Sequence, residues 1–201
     1  YWWYGNASER GYTIPTEITG NWNNYQRSQK AQVFHYVIFT HQQSGTSNLA
    51  SSGISEMPGN DAMISLGAFD GKIGTKDQQK ATLLHEIGHN LYLDHGGNNA
   101  VGCKPNYLSV MSQSRQFNNF VTDRPLDFSR SALATLTEGT LSETAGVEAS
   151  TPSGLNTVYG PTSPLVRATG QGFDWNRDGT ITGSVAADIN YFPRITNCPS
   201  S

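Results

Sequence analysis

The sequence predicts an α+β fold: a mixed twisted sheet backed by one strong helix, followed by a less regular C-terminal half. Residues 31–40, AQVFHYVIFT, are β-branched, aromatic and apolar at both parities, as in a central strand covered on both faces. Residues 76–91 open on a capping pattern and carry their apolar side chains largely on one side, as a helix beneath a sheet does. From Glu143 to Gly172 the chain is rich in Ser, Thr, Gly and Pro, which reads as loop lying on the domain.

At 201 residues the chain suits one domain, with an N-terminal subdomain of about 1–95 and a C-terminal one of about 96–201. Only 14% of residues are charged and 10% are aromatic, so the chain can bury a core and is not a charge-driven disordered one. A net charge of -3 provides no basic stripe for phosphates, which argues against nucleic acid. The longest apolar run, Val37-Ile38-Phe39, is far short of the ~20 residues that span a bilayer, which argues against a membrane segment.

Ser, Thr, Asn and Gly carry the polar weight, a surface style of secreted proteins, and Asn6-Ala7-Ser8 offers a glycosylation acceptor. The opening YWWYGNASERG lacks a basic n-region and an apolar h-region, and it reads as the start of a processed chain. Cys103 and Cys198 are the only cysteines. In an extracellular protein they would pair and close a loop of about 95 residues, worth roughly 4 to 5 kcal/mol in the chain-entropy model; in the cytosol they would be two thiols.

Between the first strand and the helix, residues 51–61 read as loop, with Gly53 and Pro58-Gly59-Asn60 as breakers. Residues 62–69, AMISLGAF, read as a shorter strand that ends in a turn at Asp70-Gly71. Thr75 caps the helix, Gln78 three residues on completes a capping box, and Asp77 suits the positive end of the dipole. Ala81, Leu83, Leu84, Ile87, Gly88 and Leu91 form its apolar side, and Gly96 and Gly97 close the region. A second helix is expected from about Ser129 to Thr137.

The chemistry is concentrated in His85-Glu86-Ile87-Gly88-His89, followed by His95. At about 100° per residue, His85 and His89 stand about 40° apart and one turn separated, so two imidazoles can face one ion with Glu86 beside them. His95 supplies a third ligand if the chain bends sharply after the helix. Three protein ligands leave the fourth tetrahedral position to water, the mark of a catalytic zinc.

With Met111 downstream, this segment resembles the metzincin clan of zinc endopeptidases, whose pattern is H-E-x-x-H-x-x-G-x-x-H followed by a Met-turn. HEIGHNLYLDHGG, CKPNYLSVM and LDFSRSAL occur in the order of bacterial members near the pappalysin-like branch. The resemblance implies a zincin fold, a secreted protease acting on protein or peptide as a monomer, and Met111 as a hydrophobic floor under the metal. Glu86 would be the general base toward a zinc-activated water. The resemblance also implies that an upper-rim strand pairs with extended substrate, and AMISLGAF is the candidate. The sequence departs from the pattern at Tyr92, where the family has Gly, and at Gln113, where some branches have Tyr.

Asp174, Asn176, Asp178 and Thr180 match the start of a calcium loop, D-x-N-x-D-G-x-I, with Asp188 able to reach in where the position-12 Glu is missing, and they predict a structural Ca2+. His35 and His41 share parity on the first strand without a carboxylate or thiolate neighbour, so they read as core or rim histidines. Two alternatives stand beside the metzincin reading. One is a thermolysin-like peptidase taking Glu138, Glu143 or Glu148 as third ligand; the other is a decayed protease fold that binds proteins.

Overall fold

The computed structural model describes residues 33–43, 51–147, 155–159 and 165–190. Asn6 and Cys198 lie outside these residues, as does Glu148. By its internal contacts the chain divides into residues 1–92 and 93–201.

In the first unit, strands β1 (Tyr36–Thr40), β2 (Gly53–Ser55) and β3 (Asp61–Ser65) form a sheet in the order β1-β3-β2. β1 pairs parallel with β3, and β2 pairs antiparallel with it. The central strand is therefore β3, not the more apolar segment containing β1, whose Tyr36 and Phe39 are exposed. β2 was not anticipated. A glycine and two turn-like flanks hid a three-residue strand whose pairing is set by β3.

A single 3-10 turn, Asp70–Lys72, leads to helix α1 (Lys76–Asn90). The expected capping box is present: Thr75 Oγ1 accepts from the Gln78 amide at 3.2 Å, and Gln78 Oε1 accepts from the Thr75 amide at 2.8 Å. The buried face is not the leucine-bearing one. Ala81, Thr82, His85, Glu86, Gly88 and Asn90 are buried, and Leu91 is exposed. Small residues allow close approach to the sheet, and the ionisable ones are thereby carried inside. Asn90 closes the helix onto the preceding loop, donating to the Glu56 and Asp61 carbonyls at 3.0 and 3.1 Å.

The described residues of the second unit form mainly turns and irregular chain, with two short two-stranded ladders. β4 (Leu141–Ser142) pairs with β7 (Ser184–Val185), and β5 (Asn156–Tyr159) with β6 (Leu165–Ala168), all antiparallel. The helix expected over 129–137 is absent: no helix occurs there. The stretch from Glu143 on is also less loop-like than expected, since it contains the β5–β6 pair. Leu141, Val147, Tyr159, Phe173, Trp175 and Ile189 make a core, with Phe173 stacked on Trp175 at 4.4 Å. Glu143 is fully buried beside them, and its carboxylate accepts from the Trp175 and Thr182 amides at 3.1 and 3.0 Å. No described helix is long and apolar enough to cross a membrane.

Candidate metal centre

His85 and His89 project from consecutive turns of α1, with ring centroids 4.7 Å apart and planes at 88°. Their Nε2 atoms are 3.1 Å from each other. One ligand atom from each of His85, His89 and His95 lies within 4.8 Å of the others, so the three can hold a metal ion. They are the only such group of His, Cys, Asp or Glu among the described residues.

His95 reaches this position through the turn that follows the helix. Leu91 and Tyr92 end α1 with amide bonds to Ile87 and His89 carbonyls at 3.0 and 2.8 Å. Tyr92 then adopts φ +71°, the left-handed conformation for which glycine is the usual residue. A residue bearing a Cβ is under strain in that conformation. Asp94 and Gly97 exchange backbone hydrogen bonds at 2.9 and 2.8 Å, forming a tight loop with His95 at its tip. Asp94 fixes that tip: its Oδ1 accepts from the His95 amide at 2.7 Å and lies 3.8 Å from His95 Nδ1. Sequence reasoning passed over Asp94, although an Asp before a reversal is a known turn former. Lys104 donates to the Gly96 carbonyl at 3.0 Å; burial lowers its pKa against the attraction of Asp94.

Glu86 is only 3% exposed. Burial pushes its carboxyl up to about 7, opposed by a 2.8 Å hydrogen bond from Ser55 Oγ to Oε2. The backbone of β2 lies against the same carboxylate, since a Cβ at Gly53 would stand 2.5 Å from Oε1. Ser55 and Gly53 were missed because nothing in residues 51–61 announced a strand. Residues 62–69 do not form an edge strand: β3 is interior, paired on both sides, and β1 and β2 are the two outer strands of the described sheet.

Met111 is fully buried and belongs to a tight turn, with the Ser112 amide bonded to the Ser109 carbonyl at 3.0 Å and the Met111 amide to Ser109 Oγ at 3.2 Å. Gln113 donates its amide to the Gly102 carbonyl at 2.7 Å. Glu138 and Glu143 are engaged elsewhere. Glu138 Oε1 accepts from the Ile189 amide and Asn190 Nδ2 at 3.0 and 2.9 Å, and Glu143 holds the two amides of its own core. Neither belongs to the histidine group. His35 Nδ1 lies 2.9 Å from Asn90 Oδ1, an anchoring contact at the end of α1.

The acidic loop closes largely on itself. Asp174 accepts from the Asp178 and Gly179 amides at 3.1 and 2.9 Å, Asn176 Oδ1 from the Asp178 amide at 3.1 Å, and Asp178 from the Thr180 amide at 2.8 Å. These are Asx-type turns. The Thr180 hydroxyl donates to Asp178 at 2.6 Å, and these bonds with Asn176 hold the exposed Asp178 carboxyl below the usual range. Asp188 Oδ1 accepts from the Asn190 amide at 3.2 Å. Its group and the loop carboxylates do not form a three-residue cluster. Cys103 is buried against Val121 and Val158, and its expected partner lies outside the described residues.

No family model, curated protein or solved structure matches the chain.

Proposed function

We propose that this chain is a secreted zinc-dependent endopeptidase of the metzincin type, with His85, His89 and His95 as ligands and Glu86 as general base. The observation that carries the reading is the convergence of three ring nitrogens within 4.8 Å beside a buried carboxyl on the same helix. The donor set fits the ion. A tetrahedral centre with zinc–nitrogen bonds of ~2.05 Å spaces its ligand nitrogens by about 3.3 Å, and His85 Nε2 and His89 Nε2 are 3.1 Å apart.

Zinc held there supplies a Lewis acid and lowers the pKa of the water it binds toward about 7. The remaining work belongs to the chain. Glu86 would take the proton of the attacking water and pass it to the leaving amine. β2 offers an extended peptide a sheet edge on which main-chain hydrogen bonds hold it irrespective of its sequence. Met111, in its tight turn, supplies a rigid apolar support, and Asp94 sets the backbone of the third ligand. A Cys103–Cys198 disulfide, a structural Ca2+ at Asp174–Thr180, a protein or peptide substrate and a monomeric state belong to the same reading.

The test is zinc content together with cleavage of denatured casein. Glu86→Ala should keep about one zinc per chain and lose cleavage by a factor of ~10² or more, because a base is removed and no ligand is. Near-normal cleavage by this variant overturns the mechanism. Absence of cleavage by fully zinc-loaded wild type favours a binding module on a protease scaffold.

A further inference from the structure

We propose that Ser55 is a positioning residue for Glu86, holding one carboxylate oxygen so that the other is presented in a fixed direction. The inference rests on the reading of Glu86 as general base. Ser55 and Gly53 are two residues apart on β2, so both face the same side of the sheet, and their cross-strand partners Ala62 and Ile64 are buried. On that side they meet Glu86 at two points. Ser55 Oγ donates to Oε2 at 2.8 Å. The Gly53 backbone lies against the rest of the group, where a Cβ would stand 2.5 Å from Oε1 and 2.8 Å from Cγ and Cδ.

A glutamate side chain has three rotatable bonds, and a base that wanders among rotamers seldom meets its proton. Here a donor fixes one oxygen and a side-chain-free backbone bounds the other. Only glycine leaves room for that arrangement at position 53.

The strand that does this is also one of the two outer strands of the described sheet. The Ser65 amide bonds to the Ser52 carbonyl at 2.7 Å and the Glu56 amide to the Asp61 carbonyl at 3.1 Å, so Ser52, Ile54 and Glu56 direct their backbone groups toward β3. Alternation turns the backbone groups of Gly53 and Ser55 away from β3. A peptide added to this edge would bond to the backbone of the residue whose hydroxyl holds the base. Ser55 thus joins substrate register to the orientation of Glu86.

The experiment compares Ser55→Ala, Ser55→Thr and Ser55→Cys with wild type in zinc affinity, melting temperature, kcat and KM for an internally quenched peptide, and the side-chain carboxyl 13C resonance of Glu86 in metal-free protein. That resonance is assigned by its loss in Glu86→Gln. Ser55→Ala should leave zinc affinity, melting temperature and KM within about twofold or a few degrees of wild type, lower kcat on the order of tenfold, and move the Glu86 resonance; Ser55→Thr should restore both. Ser55→Cys, with a weak donor in the same place, should fall between, and it carries the test if the alanine variant is poorly folded. An unmoved resonance, or a kcat equal to wild type in Ser55→Ala while Glu86→Gln is inactive, overturns the positioning role. Full activity of Glu86→Gln overturns instead the reading of Glu86 as base.

Discussion

Replacing Tyr92 tests whether the bend after α1 is held under strain. Its φ of +71° costs a residue bearing a Cβ about 1–2 kcal/mol, and Tyr92→Gly removes that cost. Glycine returns about 0.4–1 kcal/mol through the greater freedom of the unfolded chain. The ring is 69% exposed, so about 60 Å² of its ~200 Å² is covered, worth at most about 1.5 kcal/mol. The three contributions nearly cancel, and Tyr92→Gly should lie within about 1 kcal/mol of wild type. Tyr92→Ala gives the sharper result. It loses the ring and keeps the strain, so it should be about 0.5–1 kcal/mol less stable than Tyr92→Gly, the reverse of the order these two residues show within ordinary elements. Urea unfolding of metal-free protein measures both. Zinc binding should survive in Tyr92→Gly, because the loop from Asp94 to Gly97 still carries His95, and His95→Ala should bind zinc at least ~10-fold more weakly. If Tyr92→Ala is the more stable of the pair, the strain is not there, and if His95→Ala binds zinc as wild type does, the three-histidine centre is wrong.

Thr75→Ala should cost about 1 kcal/mol, since the Gln78 amide loses its acceptor, and thermal unfolding should register it as a drop of about 2–4 °C. Glu143→Gln should cost about 1–3 kcal/mol by urea unfolding, because one of two buried amides, those of Trp175 and Thr182, then faces an NH2 group; no loss of stability would mean that those bonds do not close the loop onto the core. Calcium at a hundred times its dissociation constant should stabilise by about 2.7 kcal/mol if the Asp174–Thr180 loop binds it, and an unchanged melting temperature in a calcium chelator that spares zinc would leave the loop as Asx turns alone.

The chain alone determined what depends on neighbours a few residues apart. Capping at Thr75 and Gln78, the helix from Lys76, and the spacing that sets His85 one turn from His89 all follow from 3.6-residue periodicity and local hydrogen bonding. The positive φ at Tyr92 was legible only through the resemblance, whose pattern has Gly at that position. Local pattern failed where pairing or packing decides. The run around β1 is the most apolar strand, yet it lies to one side of β3, because sheet order depends on which strands meet and not on their hydropathy. β2 is three residues in a breaker-rich stretch, and only β3 makes it a strand. With it came Ser55 and Gly53 against Glu86, a contact across 31 residues of sequence for the serine that no periodicity encodes. The segment from Ser129 to Thr137 carries helix-like residues but no helix, since a short segment gains too little from its own hydrogen bonds to repay nucleation without a tertiary face to bury. Sequence thus specified the helix that carries His85 and His89 and the local turn that returns His95 toward them, while the contacts that hold Glu86 were decided by tertiary pairing, whose energy arises only once distant segments meet.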